Sequence, residues 1–252
     1  MLQSLFDETL QSHKPGESIS AIDEFLAIIS HELRIPISAI LGWAELLDNQ
    51  QIDHTGVVTA AQVIKRNALV QVQLIDALTD YASLGANKFA LTIRVVSLAQ
   101  IIKAAVESLA PIARKKQIDV DAQFGLSQAE MDGDPTRLLQ VFSNLFSNAI
   151  KFTPSGGNVR VTLESSGDYH TITVSDTGEG ISAEFLPFVF DRYRQADRTA
   201  GGRGGLGLGL TIARHIVELH GGTIKADSAG KGKGSVFIIQ LPRRASPQIG
   251  RP

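Results

Sequence analysis

The sequence predicts an α+β protein with two parts, a hairpin of two long helices followed by helices packed on one face of a β-sheet. In the N-terminal part, apolar residues recur at steps of three and four, which is the spacing of one helix face. From about residue 88, short strand patterns and helix patterns follow one another, which is typical of a layered α+β sandwich. The length of 252 residues accommodates one large domain or two small ones.

Two helical patterns make up the N-terminal part. The first begins near Ile22 and ends at the polar stretch 48–56, and the second runs from about Val58 to Ala82. Long helices joined by a short polar loop are typical of an antiparallel hairpin. A single hairpin cannot bury both of its faces well, so we expect two copies to form a four-helix bundle in a homodimer.

The second part alternates between strands and helices. Asp134 and Pro135 form a helix-start signature, and Ser97 is placed to cap an earlier helix. The elements expected in order are strand Leu91–Val95, a helix to about Lys116, strand Ile118–Phe124, a helix to about Phe152, strands Val159–Glu164 and His170–Ser175, a glycine-rich region 178–209, helix Leu210–Leu219, and a hairpin of Thr223–Ala226 with Ser235–Leu241. The expected domains are a flexible lead-in 1–20, the hairpin 21–86, the α/β domain 87–242 and a flexible tail 243–252.

Composition excludes several classes of function. The 24 Lys and Arg and 26 Asp and Glu give a net charge of −2, which argues against a dedicated nucleic-acid binder. The absence of cysteine removes disulfides, thiolate metal sites and cysteine nucleophiles. Apolar runs such as Phe25–Ile29 are too short to span a bilayer, and the N-terminus does not resemble a signal peptide. We expect a cytoplasmic chain without membrane insertion.

His31 is the first candidate for chemistry. At about 100° per residue it lies off the apolar stripe of the first helix, and Glu32 follows it. Neutral imidazole accepts phosphoryl groups, and an adjacent carboxylate can orient it and take its second proton. Pro36 is expected to bend the helix one turn later. From the position alone, an ordinary exposed histidine is the alternative interpretation.

Polar residues on a later, mostly apolar helix form the second candidate. Asn144, Asn148 and Lys151 fall at i, i+4 and i+7 and therefore share one face. Two amides and one ammonium could hold a hydrated metal ion and a phosphate. A plain polar helix face is the alternative.

Two glycine-containing segments are candidates for contact with a ligand. Asp176 follows a strand and is succeeded by Gly178 and Gly180, which suits a turn that passes close to a ligand. The carboxylate could accept a hydrogen bond from an exocyclic amine of that ligand. Segment 201–209 carries glycines ahead of a helix, where backbone N–H groups can meet phosphate. It lacks the P-loop pattern. An ordinary turn and a flexible loop are the respective alternatives.

Taken in order, these segments resemble the boxes of bacterial sensor histidine kinases. The resemblance covers about residues 20–242, and residues 190–197 look most like hybrid-type members. The matching segments are Ser30–Pro36 for the H-box, Asn144–Thr153 for the N-box, Asp176–Ile181 for the G1 box, Phe188–Arg194 for the F-box and Gly204–Ile212 for the G2 box.

The resemblance implies an ATP-binding domain of the Bergerat fold, shared with gyrase, chaperone and mismatch-repair ATPases, and it implies ATP and Mg²⁺ as cofactors. In that scheme His31 attacks the γ-phosphate with Glu32 as base, and the phosphoryl group passes to an aspartate of a response regulator. Asn148 and Asn144 would coordinate Mg²⁺. The other residues implied to bind nucleotide are Lys151, Asp176, Gly178, Gly180, Tyr193, Gly205, Leu206, Gly207 and Gly209.

Several residues that differ between this sequence and related families bear on which function is expected. Asn144 stands where hydrolytic members of the superfamily carry a Glu base, which favours a kinase over an ATP hydrolase. Ile35 stands where the family usually has Thr or Asn, the residue thought to position the water that dephosphorylates the regulator. Tyr193 replaces the usual Phe. An ATP hydrolase and a catalytically degenerate dimer scaffold remain the rival functions, and a sensor domain or sensor partner is expected outside this chain.

Overall fold

The computed structural model describes residues 15–49, 53–85, 90–124, 129–191 and 207–243. The chain divides into two compact units, with the main boundary after Phe89. The first unit contains two long helices and the second contains the sheet with its covering helices. The predicted mixed α+β class is therefore confirmed.

The first unit is a pair of packed helices, α1 (Pro15–Asp48) and α2 (His54–Gly85). Helix α1 begins seven residues before the predicted start at Ile22 and overlaps the expected lead-in, because a proline at the first helical position favours a helix without contributing to the apolar pattern. The backbone N–H of Gly56 and the hydroxyl of Thr55 both donate to Asp53 Oδ1, each at 2.7 Å. These bonds hold the pKa of Asp53 below its ordinary value. They satisfy donors at the first turn of α2.

The second unit is built on a five-stranded sheet. In spatial order its strands are β2 (Asp119–Phe124), β4 (Asn158–Ser166), β5 (Tyr169–Asp176), β7 (Ser235–Pro242) and β6 (Thr223–Asp227). Strands β2 and β4 are parallel, and the other neighbours are antiparallel. The β5–β7 register places Asp176 opposite Ser235.

Three helices accompany this sheet and carry the core of the unit. They are α3 (Leu98–Lys115), α4 (Pro135–Phe152) and α5 (Gly209–Leu219). Alternate residues of the central strands are buried, as in a sheet that is covered on one face. The predicted cap of α3 is present, with Gln100 N donating to Ser97 Oγ at 3.4 Å. The fully buried core side chains include Phe142, Leu98, Ile102, Leu138, Leu145, Leu163, Ile172 and Ile239.

A separate two-stranded sheet pairs β1 (Arg94–Ser97) with β3 (Glu130–Gly133) in antiparallel register. The strand predicted at Leu91–Val95 thus begins three residues later. Strand β3 was not predicted, because its four residues are too few to show alternation and pair only with a strand distant in sequence. A short 3₁₀ turn at Leu186–Phe188 lies within the predicted glycine-rich region 178–209.

Candidate active site

The candidate phosphoacceptor lies on α1. His31 is exposed and Glu32 is half-buried, so the histidine occupies the solvent-facing position that the periodicity predicts. Ile35 lies one turn further along and is 53% exposed. Helix α1 continues through Pro36, which is buried, to Asp48. An imidazole here is open to a reacting group.

Helix α4 carries the candidate metal and phosphate residues. It begins at the predicted cap, where Asp134 Oδ1 accepts from the N–H groups of Thr136 and Arg137 at 2.9 and 3.1 Å. Its inner face is buried, whereas Asn144, Asn148 and Lys151 are all half-buried on one face. The amphipathic pattern therefore leaves these three polar groups at the margin of the core.

Asn144 is oriented by a backbone carbonyl at the start of α5. Its Nδ2 donates to the oxygen of Gly209 at 3.1 Å. A carbonyl only accepts, so this contact fixes the amide with its nitrogen toward Gly209 and reserves its oxygen for another partner. An amide oxygen is a hard ligand suited to Mg²⁺. The structure thus brings Asn144 and Gly209 together, as two of the predicted site residues.

The C-terminal end of α4 is held by a lysine from beyond α3. Lys116 Nζ donates to the carbonyl oxygens of Ile150 and Lys151, each at 2.7 Å. A cation at this position complements the negative end of the helix dipole. Lys151 Nζ lies 5.0 Å from the centre of the Phe152 ring. The last turn, from which Lys151 projects, is therefore fixed at its backbone.

Asp176 ends β5 with both carboxylate oxygens engaged. Oδ1 accepts from Gly178 N at 2.8 Å, and Oδ2 accepts from the hydroxyl of Ser235 at 2.5 Å. The short hydroxyl contact is a charge-assisted hydrogen bond. Each oxygen retains a further lone pair, so the half-buried carboxylate is aimed and can still accept from a ligand amine.

The glycines after Asp176 are required by close approach. A Cβ on Gly178 would lie 2.6 Å from Asp176 Oδ1 and 2.7 Å from the carbonyl oxygen of Phe152. Gly180 has φ +66°, and a Cβ there would collide with the carbonyl of Gly230. Any side chain at either position would displace the turn. This is a physical reason for the Asp-x-Gly-x-Gly pattern.

Only part of the glycine-rich segment is described. Gly207 has φ +67°, a conformation that favours glycine, and Gly209 begins α5. The remaining predicted residues of this region lie outside the described part of the chain: Tyr193, Gly205 and Leu206.

Two serines at this site were not identified from the sequence. Ser235 bonds Asp176, and Ser228 bonds the backbone at Ile181 and Gly234. The predicted β6–β7 hairpin contained them, but the pairing of β7 with β5 is not local and had no sequence signal. The glycines between the two serines were the only available hint of a tight loop.

The chain matches two families in succession. Residues 21–87 match the His Kinase A (phospho-acceptor) domain, and residues 133–245 match the histidine kinase-, DNA gyrase B- and HSP90-like ATPase. Hybrid signal transduction histidine kinase D of Dictyostelium discoideum is 36% identical over 87% of this chain and 17% of its own length. Sensor histidine kinase TmoS of Ectopseudomonas mendocina is 36% identical over 90% of this chain and 23% of its own length.

Solved structures agree with these matches. Full-length ShkA in complex with AMPPNP is 27% identical with a TM-score of 0.66, over 89% of this chain and 47% of that one. Histidine kinase ThkA in complex with response regulator protein TrrA is 25% identical with a TM-score of 0.62, over 90% and 64%.

This chain therefore belongs to the histidine kinases of two-component signalling. It carries their phosphoacceptor domain and their ATPase domain in one polypeptide. It spans about a fifth of the length of the two curated relatives named above. None of the helices in the described part of the chain is long and apolar enough to cross a membrane.

Proposed function

We propose that this chain is an ATP-dependent autokinase that phosphorylates His31 and passes the phosphoryl group to an aspartate of a response regulator. The carrying observation is an exposed imidazole on a phosphoacceptor helix, joined in one chain to a unit that aims a carboxylate over a glycine turn. A bond forms between an imidazole nitrogen and the γ-phosphorus, the bond to the bridging oxygen breaks, and ADP leaves. Glu32 takes the proton from the other ring nitrogen.

The proposed base-binding group is Asp176. Its two oxygens are held by Gly178 and Ser235, so it accepts from the exocyclic amine of adenine without first having to be ordered. Gly178 and Gly180 keep the turn in place beside this carboxylate, since a side chain at either position would collide with the surrounding protein. The match to an ATPase domain and the likeness to ShkA, whose crystal structure is a complex with AMPPNP, support ATP as the nucleotide.

The proposed metal site is formed by amide oxygens of α4. Asn148 and Asn144 would hold Mg²⁺, and the orientation of Asn144 toward Gly209 suits an oxygen ligand. When bound, the ion neutralises charge on the phosphates. Lys151, on the same face, would pair with a phosphate oxygen. Tyr193, Gly205, Leu206, Gly207 and Gly209 are proposed to contribute the rest of the nucleotide site, as the family resemblance implies.

A kinase is favoured over an ATP hydrolase by the chemistry of Asn144. An amide cannot take a proton from water, and its nitrogen is engaged by a carbonyl. We expect that ATP bound here is not hydrolysed by water and reacts with the imidazole of His31 instead. A cytoplasmic location is proposed because ATP and the regulator must both reach the chain.

A homodimer is proposed through the hairpin. Large apolar side chains remain exposed on both helices of the described hairpin, more than a solitary helix pair would leave in water. Pairing two hairpins into a four-helix bundle would cover them. These side chains include Ile37 and Leu41 on α1, and Val57, Val58, Leu69, Val70, Val72 and Ile75 on α2.

The transfer step is tested by a chase experiment. Chain labelled from γ-labelled ATP is freed of nucleotide and mixed with receiver domains of response regulators. Loss of label from the chain and its appearance on one receiver supports the proposal. Steady phosphate release from ATP without any labelled intermediate would instead identify an ATP hydrolase.

A further inference from the structure

We propose that Ser228 is a positioning residue for the nucleotide base, because its hydroxyl joins the two loops that adjoin Asp176 and its partner Ser235. The first loop is the glycine turn after β5, Gly178–Ile181, and the second is the β6–β7 loop, Ser228–Gly234. The inference rests on the proposed function, since it concerns how that same site selects adenine. Ser228 is not among the site residues that the sequence predicts.

The Ser228 hydroxyl is saturated by one hydrogen bond that crosses to the first loop and two within its own loop. It accepts from the N–H of Ile181 at 3.0 Å and donates to the carbonyl oxygen of Gly234 at 2.7 Å. It also accepts from Gly230 N at 3.3 Å. A hydroxyl has one proton to donate and two lone pairs, so these three bonds use its full capacity. The side chain is half-buried, which makes each lost bond costly.

The two loops are also joined by backbone hydrogen bonds and pack closely against each other. Gly234 N donates to the carbonyl of Gly178 at 3.1 Å, and Gly232 N donates to the carbonyl of Glu179 at 2.6 Å. A Cβ on Gly234, whose φ is +72°, would collide with the carbonyl of Asp176. Small displacements of one loop are therefore transmitted to the other.

The contacts form a closed path around the base-binding carboxylate. Ser228 fixes Gly234, the next residue is Ser235, and its hydroxyl holds Asp176 Oδ2. On the other side, Ser228 fixes Ile181 at the end of the turn whose Gly178 N–H holds Asp176 Oδ1. The Ser228 hydroxyl thus adds a side-chain bond to the two backbone bonds that join the loops beside Asp176. Loss of that hydroxyl would let the turn shift and leave Ile181 N–H without its acceptor.

Loss of the Ser228 hydroxyl should impair nucleotide binding and the preference for ATP over GTP, but not phosphoryl transfer. Ser228 does not touch His31, Asn144 or Asn148 in any described contact, so the chemical step at saturating ATP should keep its rate. A carboxylate that is less firmly aimed should bind adenine more weakly and reject guanine less well, because selectivity depends on the placement of a single acceptor.

The test compares Ser228→Ala, Ser228→Thr and Ser108→Ala with the native full-length chain. Ser108 is the matched control, since its hydroxyl donates only to the carbonyl of Ala105 in its own helix. Ser228→Ala is expected to raise both the dissociation constant and the KM for ATP about five- to tenfold. It should leave kcat within about twofold of native and narrow the ATP-to-GTP affinity ratio several-fold. Ser228→Thr, which keeps the hydroxyl, should retain native values.

Several results would overturn the assignment. These are an Ala variant that binds like the Ser108→Ala control, equal losses in the Ala and Thr variants, or a fall in kcat with an unchanged KM. If Ser228→Ala does not fold, amide exchange on the native chain decides. Protection at Ile181 supports the bond to Ser228, and free exchange there contradicts it. If the native chain does not bind ATP at all, the proposed function itself fails, which is a different result.

Discussion

In the proposed function, the base is selected by a single carboxylate, that of Asp176. Its oxygens are held at 2.8 Å by Gly178 N and at 2.5 Å by Ser235 Oγ, which leaves the remaining lone pairs pointing in fixed directions. Adenine offers an amine to such an acceptor, whereas guanine offers a carbonyl at the same place. Two acceptors facing each other in a partly buried site repel and leave both unsatisfied.

We therefore predict that ATP displaces a fluorescent ATP analogue about ten- to a hundredfold more effectively than GTP. Asp176→Ala should lose most of this preference. Asp168→Ala is the control, because Asp168 is an exposed acid in the β4–β5 turn at the other end of the strand. Equal competition by GTP against the native chain would remove Asp176 from the base-binding site.

Ile35 lies beside the candidate phosphoacceptor, at the position where the family resemblance leads us to expect Thr or Asn. It is 53% exposed one turn after His31, so it faces the space where a regulator would react. Its side chain has no atom that can hold a water by hydrogen bonding. Autophosphorylation does not need such a water, because the attacking group is the imidazole.

The expected outcome is a kinase with weak phosphatase activity toward its phosphorylated regulator. Ile35→Thr should hydrolyse the phosphorylated receiver faster in the presence of ADP, with an unchanged rate of autophosphorylation. Ile112→Thr serves as the control, since Ile112 is 56% exposed on α3 and lies outside the hairpin that carries His31. Rapid dephosphorylation by the native chain would show that another group orients the water.

At the scale of elements, Asp134 ties the start of α4 to two other parts of its unit. Its side chain accepts from the N–H groups of Thr92, Thr136 and Arg137, and its own N–H donates to His220 Nε2 at 2.9 Å. Burial alone would raise the pKa of Asp134, but these backbone donors and the charge of Arg137 outweigh it and lower the pKa. The cap therefore favours the ionised form.

Asp134→Ala should lower the free energy of unfolding by about 1–3 kcal/mol, since it removes a helix cap and leaves Thr92 N–H without its acceptor. Because the pKa is lowered on folding, the stabilisation is complete above the unfolded value of about 3.9 and is lost as pH falls through the native pKa. In urea titrations, the difference in free energy of unfolding between the native chain and Asp134→Asn should therefore shrink as the pH is lowered. A pH-independent difference, or an equal effect of Asp227→Asn, would contradict this account.

The elements also show where sequence patterns suffice and where they do not. The caps at Ser97 and Asp134 and the stripe of α4 are local signals, and each of those elements formed where it was expected. Strand β3 and the Asp176–Ser235 bond depend on pairings between residues far apart in sequence. Periodicity carries no information about such partners, so the residues that aim Asp176 could only be found in the fold. The roles of the site residues themselves stay predictions.

At the scale of the whole molecule, the hairpin leaves apolar surface that a second copy would cover. Leu41 and Leu69 are 57% and 56% exposed in the hairpin, and Ile112 is equally exposed on α3 of the other unit. Light scattering should give twice the chain mass of 27.1 kDa. Leu41→Asp combined with Leu69→Asp should yield monomers, whereas Ile112→Asp should remain dimeric. A native monomer at micromolar concentration would refute the proposed four-helix bundle.

The central claim is that His31 receives the phosphoryl group of ATP. Incubation with γ-labelled ATP and Mg²⁺, followed by acid and alkali treatment, tests it most directly, because phosphohistidine is lost in acid and survives alkali. The native chain and the His54→Ala control should carry acid-labile label, and His31→Ala should carry none while binding ATP with native affinity. Label that persists in His31→Ala, or that peptide mapping assigns to another residue, would contradict the account.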